Sequence, residues 1–143
     1  NIVVAIGWGL TIENGRLANK LKQVTLQTID YRENKCNRTI SNKDIQFCAG
    51  TPDNSKGNLT MIKNDIYLFI YLFMYFILDT CKDDSGGPVM IFTSQKQWIL
   101  AGLTSYGIGC ARPGFVGVYT RIAVYEEWIK QNTNQSCTVT KNL

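Results

Sequence analysis

Apolar and polar residues along the chain alternate in short runs that are separated by turn residues. Around Val24 and Leu26, apolar positions alternate with Gln23 and Thr25, which is the period of a strand with one buried face. Runs of this length and spacing are typical of an all-β protein. The sequence predicts six strands, at residues 2–8, 21–28, 45–49, 88–93, 97–105 and 115–121.

Two segments carry helical signals instead. Residues Asp30 to Cys36 can form a helical turn, because Asp30 can cap it and Glu33 lies at the capping-box position. We therefore predict a six-stranded antiparallel β-barrel with a C-terminal α-helix docked outside. That helix is predicted near residues 122–132, where one side would carry Ile122, Tyr125, Trp128 and Ile129.

One segment departs from this pattern. Between residues 58 and 78 the polar turns disappear, and Ile66 to Leu78 is wholly apolar. As a helix the apolar part would be roughly 20 Å long, short of the ~30 Å hydrocarbon core, so we expect no membrane partner. We interpret residues 58–78 as a translated intron, because all of them except Thr60 and Asp65 have codons that can be very rich in A and T. The codons at Gly57-Asn58 and Leu78-Asp79 can also supply the GT and the AG at its two ends. Splicing would join Lys56 directly to Asp79, and a real hydrophobic insertion is the alternative.

Composition limits the function classes. With 143 residues, of which 45% are hydrophobic and 18% charged, the chain can fold around one core and is neither disordered nor a coiled coil. The net charge of +4 is spread along the sequence, so it indicates no nucleic-acid partner. The chain contains no histidine. Any mechanism that needs an imidazole is therefore incomplete in this chain.

The cysteines indicate the compartment. All five are widely spaced without a C-x-x-C pair, which argues against zinc and favours disulfides in a secreted, extracellular protein. Asn37 and Asn134 open acceptor sequons for N-glycosylation and point the same way. The chain runs from Asn1 at once into an apolar strand, so we expect that the front of the protein is missing.

The most informative run is Asp83-Asp84-Ser85-Gly86-Gly87-Pro88. A serine between an acidic residue and paired glycines suits nucleophilic attack, because the glycines let the backbone bend tightly and bring N–H groups close to a carbonyl oxygen. Four further motifs surround it in order. They are Gly7-Trp8-Gly9, Phe47-Cys48-Ala49-Gly50, Ser105-Tyr106-Gly107 with Cys110, and Gly117-Val118-Tyr119-Thr120-Arg121 leading into Trp128-Ile129.

In this order and spacing the motifs resemble the C-terminal half of trypsin-like serine proteases of the chymotrypsin family. The resemblance covers residues 1–133 apart from the 58–78 insert, and residues 134–143 form a tail. It implies the second barrel of a two-barrel fold and a serine endopeptidase that cleaves after Lys or Arg through an acyl-enzyme. The sequence carries no nucleotide-binding, metal or haem motif, so we expect no cofactor. Its partners would be proteins or peptides with Lys or Arg at the cleaved bond, protease inhibitors and the missing N-terminal barrel.

The resemblance also implies roles for single residues. Ser85 matches the catalytic serine, and its N–H and that of Asp83 would form the oxyanion hole. Asp84 matches the aspartate that pairs with the new amino terminus after zymogen cleavage. Asp79 matches the acidic residue that attracts a substrate Lys or Arg at the base of the specificity pocket. Further substrate-binding positions are Ser105, Gly107 and Gly117, and the implied disulfides are Cys36–Cys48 and Cys81–Cys110.

The chain departs from the family in three ways. The catalytic histidine and aspartate lie upstream in the family, so we expect this fragment alone to be inactive and to expose apolar surface. Asp83 stands where the family almost always has glycine, and it would either slow catalysis at the oxyanion hole or leave it intact with altered inhibitor sensitivity. Cys137 has no partner among the implied pairs. The alternative function is a catalytically inactive protease homologue that acts as a binding or regulatory protein.

Overall fold

The computed structural model describes residues 1–10, 15–51, 80–110 and 114–133. Six strands of this part close into an antiparallel barrel, which confirms the predicted fold class. Every strand lies within two residues of its predicted bounds. The strands are β1 (Ile2–Gly7), β2 (Lys22–Ile29), β3 (Gln46–Gly50), β4 (Pro88–Phe92), β5 (Trp98–Gly107) and β6 (Gly117–Arg121). Around the barrel they follow the order β1-β2-β3-β6-β5-β4.

The helical segments follow the prediction in place but not in every detail. α1 covers Asn34–Asn37 and α2 covers Glu126–Asn132, preceded by a 3-10 helix at Ile122–Tyr125. The prediction that Asp30 caps the first helix was wrong, because Glu33 lies at that position and forms no side-chain cap. The Asp30 carboxylate instead accepts the N–H of Arg32 at 2.9 Å and closes a short turn.

Alternation along the strands separates two apolar clusters. The barrel interior holds Leu26, Val89 and Tyr119 among fully buried side chains, because every second residue of a strand points inward. The neighbouring positions Cys48 and Val118 belong to a second buried cluster on the outside of β3 and β6. The Cys36–Cys48 disulfide ties α1 over this second cluster. The remaining members of the inner cluster are Val3, Ala5, Phe47 and Ala49.

Three neighbouring strands carry an apolar surface on the outside of the barrel. On β1, β4 and β5 the inward positions are buried, so the alternate side chains point outward. Ile2, Phe92 and Trp98 are 57%, 56% and 53% exposed. Phe92 and Trp98 face each other across the strands with ring centroids 5.0 Å apart. We call this surface the apolar outer face, and its members are Ile2, Val4, Ile6, Met90, Phe92, Trp98 and Leu100.

Several sequence predictions fall on residues outside the described part of the chain. These are the 58–78 insert, Asp79, and the 134–143 tail with Asn134 and Cys137. No helix in the described ranges is long and apolar enough to cross a membrane.

Candidate active site

The 80–87 loop, which carries the predicted nucleophile, is fastened at both ends. The Cys81–Cys110 disulfide joins its beginning to the segment that follows β5. Near its other end, Gly86 donates its N–H to the Thr104 carbonyl of β5 at 2.8 Å. Both disulfides that the resemblance implied are therefore formed, and one of them holds this loop in place.

The loop turns tightly between these two attachments. Asp84 donates its N–H to the Cys81 carbonyl at 3.2 Å, and Gly87 donates to the Asp84 carbonyl at 2.9 Å. Gly86 has a φ of 81°, a left-handed value that glycine adopts without steric cost. Ser85 lies exposed at the tip of the turn. The run of small and acidic residues thus forms the bend that its sequence predicts.

Two backbone donors on this turn are available to a ligand. Among the described residues, no acceptor is hydrogen-bonded to the N–H of Asp83 or of Ser85. Asp83 has a φ of 71° although it is not glycine, and for an L-residue with a β-carbon this conformation costs about 1–2 kcal/mol. The backbone at Asp83 therefore keeps the left-handed shape of a glycine turn, with an exposed carboxylate added at its edge.

The Asp84 side chain fastens the loop to the end of β1. One carboxylate oxygen accepts the N–H of Gly9 at 2.7 Å and the other accepts the N–H of Cys81 at 3.1 Å. Space for this carboxylate exists only because Gly7 and Gly9 lack side chains. A β-carbon at Gly7 would lie 2.1 Å from Asp84 Oδ1, and one at Gly9 would lie 2.4 Å from Asp84 Cγ. The Gly-Trp-Gly motif therefore works as a cradle for Asp84.

The predicted pocket glycines lie opposite each other. Gly107 pairs with Gly117 at the end of the β5–β6 ladder. A β-carbon at Gly117 would come within 2.6 Å of the Tyr119 hydroxyl. That hydroxyl is 2.9 Å from Thr80 Oγ1, so it contacts the residue that directly follows Asp79. The structure thus brings both glycines and the start of the 80–87 loop to one end of β6.

The end of β5 that lies beside this part of β6 has an unpaired edge. β4 pairs with β5 only as far as Leu103, and Thr104 makes its bonds with the 80–87 loop. Beyond Thr104, no strand in the described ranges pairs with the β5 edge opposite β6. Ser105 and Gly107, both predicted to bind substrate, lie on this free edge. An extended peptide could add there as a further strand.

The remaining predicted positions lie away from this site. Asn37 is exposed at the end of α1, and the hydroxyl of Thr39, the third residue of its sequon, donates to the Lys35 carbonyl at 2.9 Å. Within the described ranges, no three His, Cys, Asp or Glu side chains group in a way that could hold a metal ion.

Three features of the site were not predicted from the sequence. The glycine cradle around Asp84 joins residues 75 positions apart, and the hydrogen bond between Thr80 and Tyr119 joins residues 39 positions apart. The third is a hydrogen-bond cluster around the Tyr106 hydroxyl. A sequence signal exists only for Tyr119, since alternation along β6 places it inward.

Comparison with known proteins supports a single family. A family model described as Trypsin matches residues 72–129. Trypsin-1 of Astacus astacus is 33% identical over 133 residues, which cover 91% of this chain and 46% of that protein. Trypsin eta of Drosophila melanogaster is 34% identical over 132 residues, covering 90% of this chain and 39% of that protein. Transmembrane protease serine 9 of Rattus norvegicus is 32% identical over 134 residues, covering 92% of this chain and 10% of that protein.

The chain spans less than half the length of each of these relatives. Across that span it carries the exposed Ser85, the anchored Asp84 and the two disulfides on a closed barrel. The sequence matches, the barrel and this site agree, and the chain belongs to the trypsin-like serine proteases of the chymotrypsin family.

Proposed function

We propose that the complete protein is a secreted endopeptidase that cleaves peptide bonds after Lys or Arg, with Ser85 as its nucleophile. One observation carries the proposal. Ser85 is exposed at the tip of a loop fixed by a disulfide and by the Asp84 carboxylate, and the N–H groups of Asp83 and Ser85 have no acceptor among the described residues. A nucleophile beside two free donors is what acyl transfer requires.

The proposed reaction follows from this geometry. Ser85 Oγ attacks the carbonyl carbon and passes its proton to a base, and the carbonyl oxygen becomes an oxyanion that accepts the two N–H groups. The C–N bond then breaks, the base returns the proton to the leaving amine, and water later releases the acyl group from Ser85 by the same steps. The chain has no histidine, so a base must come from another segment of the complete protein.

Cleavage after basic residues rests on Asp79, Gly107 and Gly117. Gly107 leaves room at the end of the β5–β6 ladder, where a β-carbon would find its nearest neighbour only at 3.7 Å, and Gly117 lets the Tyr119 hydroxyl approach the same end. The Thr80 side chain is bonded to Tyr119 at that end, and the carboxylate of the preceding Asp79 would attract a Lys or Arg side chain there. Ser105 and Gly107 would bind the substrate backbone along the free β5 edge.

Asp84 would make catalysis depend on activation by cleavage of the chain upstream. Its two oxygens each accept one backbone N–H in the described structure, and a carboxylate has further acceptor positions. An amino terminus released by cleavage upstream could therefore add an ion pair without displacing these bonds. Such a pair would add a further attachment to the 80–87 loop, which carries the two oxyanion donors.

The apolar outer face supports a role for a missing first barrel. Apolar patches of this kind on a monomer mark interaction sites. A first barrel on the same chain would cover Ile2, Phe92 and Trp98, which are more than half exposed here. It would also supply the catalytic base, so the 143-residue chain alone should be inactive.

Two further parts of the proposal concern the surface of the protein. Protease inhibitors would compete with substrate for the site around Ser85. Asn37 is exposed enough to carry a glycan.

Activity of the complete protein tests this proposal. We expect hydrolysis of Arg and Lys ester substrates that a Ser85→Ala variant lacks, and a phosphonate probe that labels only wild-type Ser85. An Asp79→Ser variant should retain labelling but lose the preference for Arg over Phe substrates. Wild-type protein that neither cleaves Arg substrates nor reacts with the probe would contradict the proposal.

A catalytically inactive homologue that binds a protease or an inhibitor is the second candidate. The observation that favours it is Asp83, whose carboxylate stands exposed beside the oxyanion donors and would repel the negative charge that develops in the reaction. Binding of a protease inhibitor by a complete protein that lacks hydrolysis and probe labelling would favour this candidate.

We also propose that residues 58–78 are a translated intron. In the spliced product Ser55-Lys56 would precede Asp79-Thr80 directly, so that Asp79 enters the pocket by a short connection from β3. Sequencing of the complete cDNA tests this. A mature transcript that retains codons 58–78 would show that the hydrophobic insertion is part of the protein.

A further inference from the structure

Asn37 lies exposed in a sequon whose remaining parts are held by the fold. Among the described residues, no group is hydrogen-bonded to its side chain at the end of α1. The Thr39 hydroxyl, in contrast, donates to the Lys35 carbonyl at 2.9 Å, and Thr39 is only 8% exposed. The N–H groups of Asn37, Arg38 and Thr39 all donate to backbone carbonyls of residues 33–36. The fold therefore presents the amide of the sequon and withholds its hydroxyl and its backbone.

The middle residue of the sequon is also fixed. The Arg38 guanidinium donates to the Gly114 carbonyl and lies over the Phe115 ring, with its central carbon 4.8 Å from the ring centroid. An acceptor sequon needs Ser or Thr as its third residue, so a transferase must reach the hydroxyl as well as the amide. In the folded protein it would reach only the amide. A glycan on Asn37 is thus compatible with the finished fold but would have to be attached before that fold forms.

The Cys36–Cys48 disulfide decides when this sequon becomes locked. α1 has four residues, too few to form a stable helix alone, and Cys36, which directly precedes Asn37, is fully buried in the second cluster. The two cysteines are 12 positions apart, so at about 5–20 residues per second Cys48 is synthesised roughly 0.6–2.4 s after Cys36. Disulfide formation itself takes seconds or longer. The sequon is therefore free in the nascent chain for a short time that ends when the disulfide closes.

We propose that closure of the Cys36–Cys48 disulfide competes with N-glycosylation of Asn37, so that the protein is made in two forms, with and without a glycan on α1. The inference rests on the proposed secretion, because the transferase and the disulfide belong to the same oxidising compartment. In the transfer, Asn37 Nδ2 forms a bond to the first sugar carbon of a lipid-linked oligosaccharide. The bond from that carbon to the lipid pyrophosphate breaks, the electron pair leaves with the pyrophosphate, and the amide proton goes to a base of the transferase.

The test compares glycan occupancy at Asn37 in wild type and in Cys48→Ala, with the complete protein expressed in secreting eukaryotic cells. Cys48→Ala removes the competing reaction and leaves the sequence around the sequon unchanged. We expect a mixture of two forms in wild type and a shift to the glycosylated form alone in the variant. Mass spectrometry after peptide N-glycosidase treatment measures occupancy in cells and medium together, because a variant that is retained in the cell still carries its glycan. A pulse of dithiothreitol during synthesis should shift wild type in the same way and leave Cys48→Ala unchanged.

Cys110→Ala is the matched control, since it opens the other disulfide and leaves Cys81 without its partner. It should leave occupancy of Asn37 as in wild type, and Asn134, which opens a second sequon, should respond to neither variant. An equal shift in Cys110→Ala would show a general folding defect and overturn the competition, as would full occupancy in wild type or equal occupancy in wild type and Cys48→Ala. A glycan on Asn134 but never on Asn37 would overturn the site. A complete protein that stays in the cytosol with neither asparagine glycosylated would instead overturn the proposed secretion.

Discussion

Two outer faces of one barrel are covered in different ways. Over β3 and β6, Cys36 of α1 and the following Ile40 pack in one cluster with Val116 and Val118, and the Cys36–Cys48 disulfide holds this cover in place. On β1, β4 and β5, the apolar outer face leaves Phe92 and Trp98 more than half exposed. Among the described residues the first face has a cover and the second has none. We therefore predict that the stability of the barrel is divided between a face that needs no partner and a face that a partner would cover.

The largest effect is expected on the apolar outer face. Phe92→Lys with Trp98→Lys should lower the unfolding free energy of the complete protein by roughly 3–6 kcal/mol, because two aromatic side chains no longer become buried. In the 143-residue chain, where both are exposed, the same variant should instead reduce aggregation. Urea denaturation and light scattering measure the two effects.

Trp128→Lys is the matched control, since Trp128 is 63% exposed on α2 and lies outside the apolar outer face. It should change little in either protein. An equally small effect of the double variant on the complete protein would mean that nothing covers the apolar outer face.

The covered face gives the next largest effect. Cys36→Ala with Cys48→Ala opens a link with a sequence separation of 12, and loss of such a disulfide should lower stability by about 3 kcal/mol. Because the cover is local, the loss should be the same in the 143-residue chain and in the complete protein. Thermal denaturation of both proteins checks this, with the exposed turn variant Ser94→Ala as control. A loss confined to one of the two proteins would contradict the proposed division.

The smallest effect is expected where the 80–87 loop meets β1. Asp83→Gly should raise stability by about 1 kcal/mol, since glycine adopts a φ of 71° without strain. It should also raise kcat of the complete protein if the Asp83 carboxylate disturbs the oxyanion hole. Lys96→Gly is the matched control, because Lys96 has a φ of 59° in the turn between β4 and β5. It should raise stability equally and leave kcat unchanged.

The strands could be predicted because their signal is local. Val24 and Leu26 alternate with polar neighbours, and β1 reads as the continuous apolar run Ile2 to Ile6. Such a run marks a strand whose two faces are both to be buried, which agrees with Val3 and Ala5 inside the barrel and Ile2 on the apolar outer face. The run does not identify what covers its outer side, because the identity of a covering partner does not change the hydrophobic periodicity of the strand.

The residues of the site could be predicted from the sequence, but the contacts between them could not. Ser85, Asp84 and the Gly-Trp-Gly motif were identified separately, since each has a recognisable residue pattern. That Asp84 fits between Gly7 and Gly9 depends on the closure of β1 onto β4, which no short pattern encodes. The prediction for Asp30 was wrong for a different reason. Several polar residues near a short helix can compete for the N-cap position, and in the structure Glu33 occupies it.

The strand order has a consequence for incomplete chains. β6 lies between β3 and β5, which are both finished earlier in the sequence. Any product of early termination before Gly117 would leave those two strands with unpaired backbone edges that face each other across a gap. Open edges of this kind pair readily with other molecules. During synthesis, too, the barrel stays open until β6, its last strand, has left the ribosome. Pairing of β6 is therefore the step that protects the nascent chain from self-association.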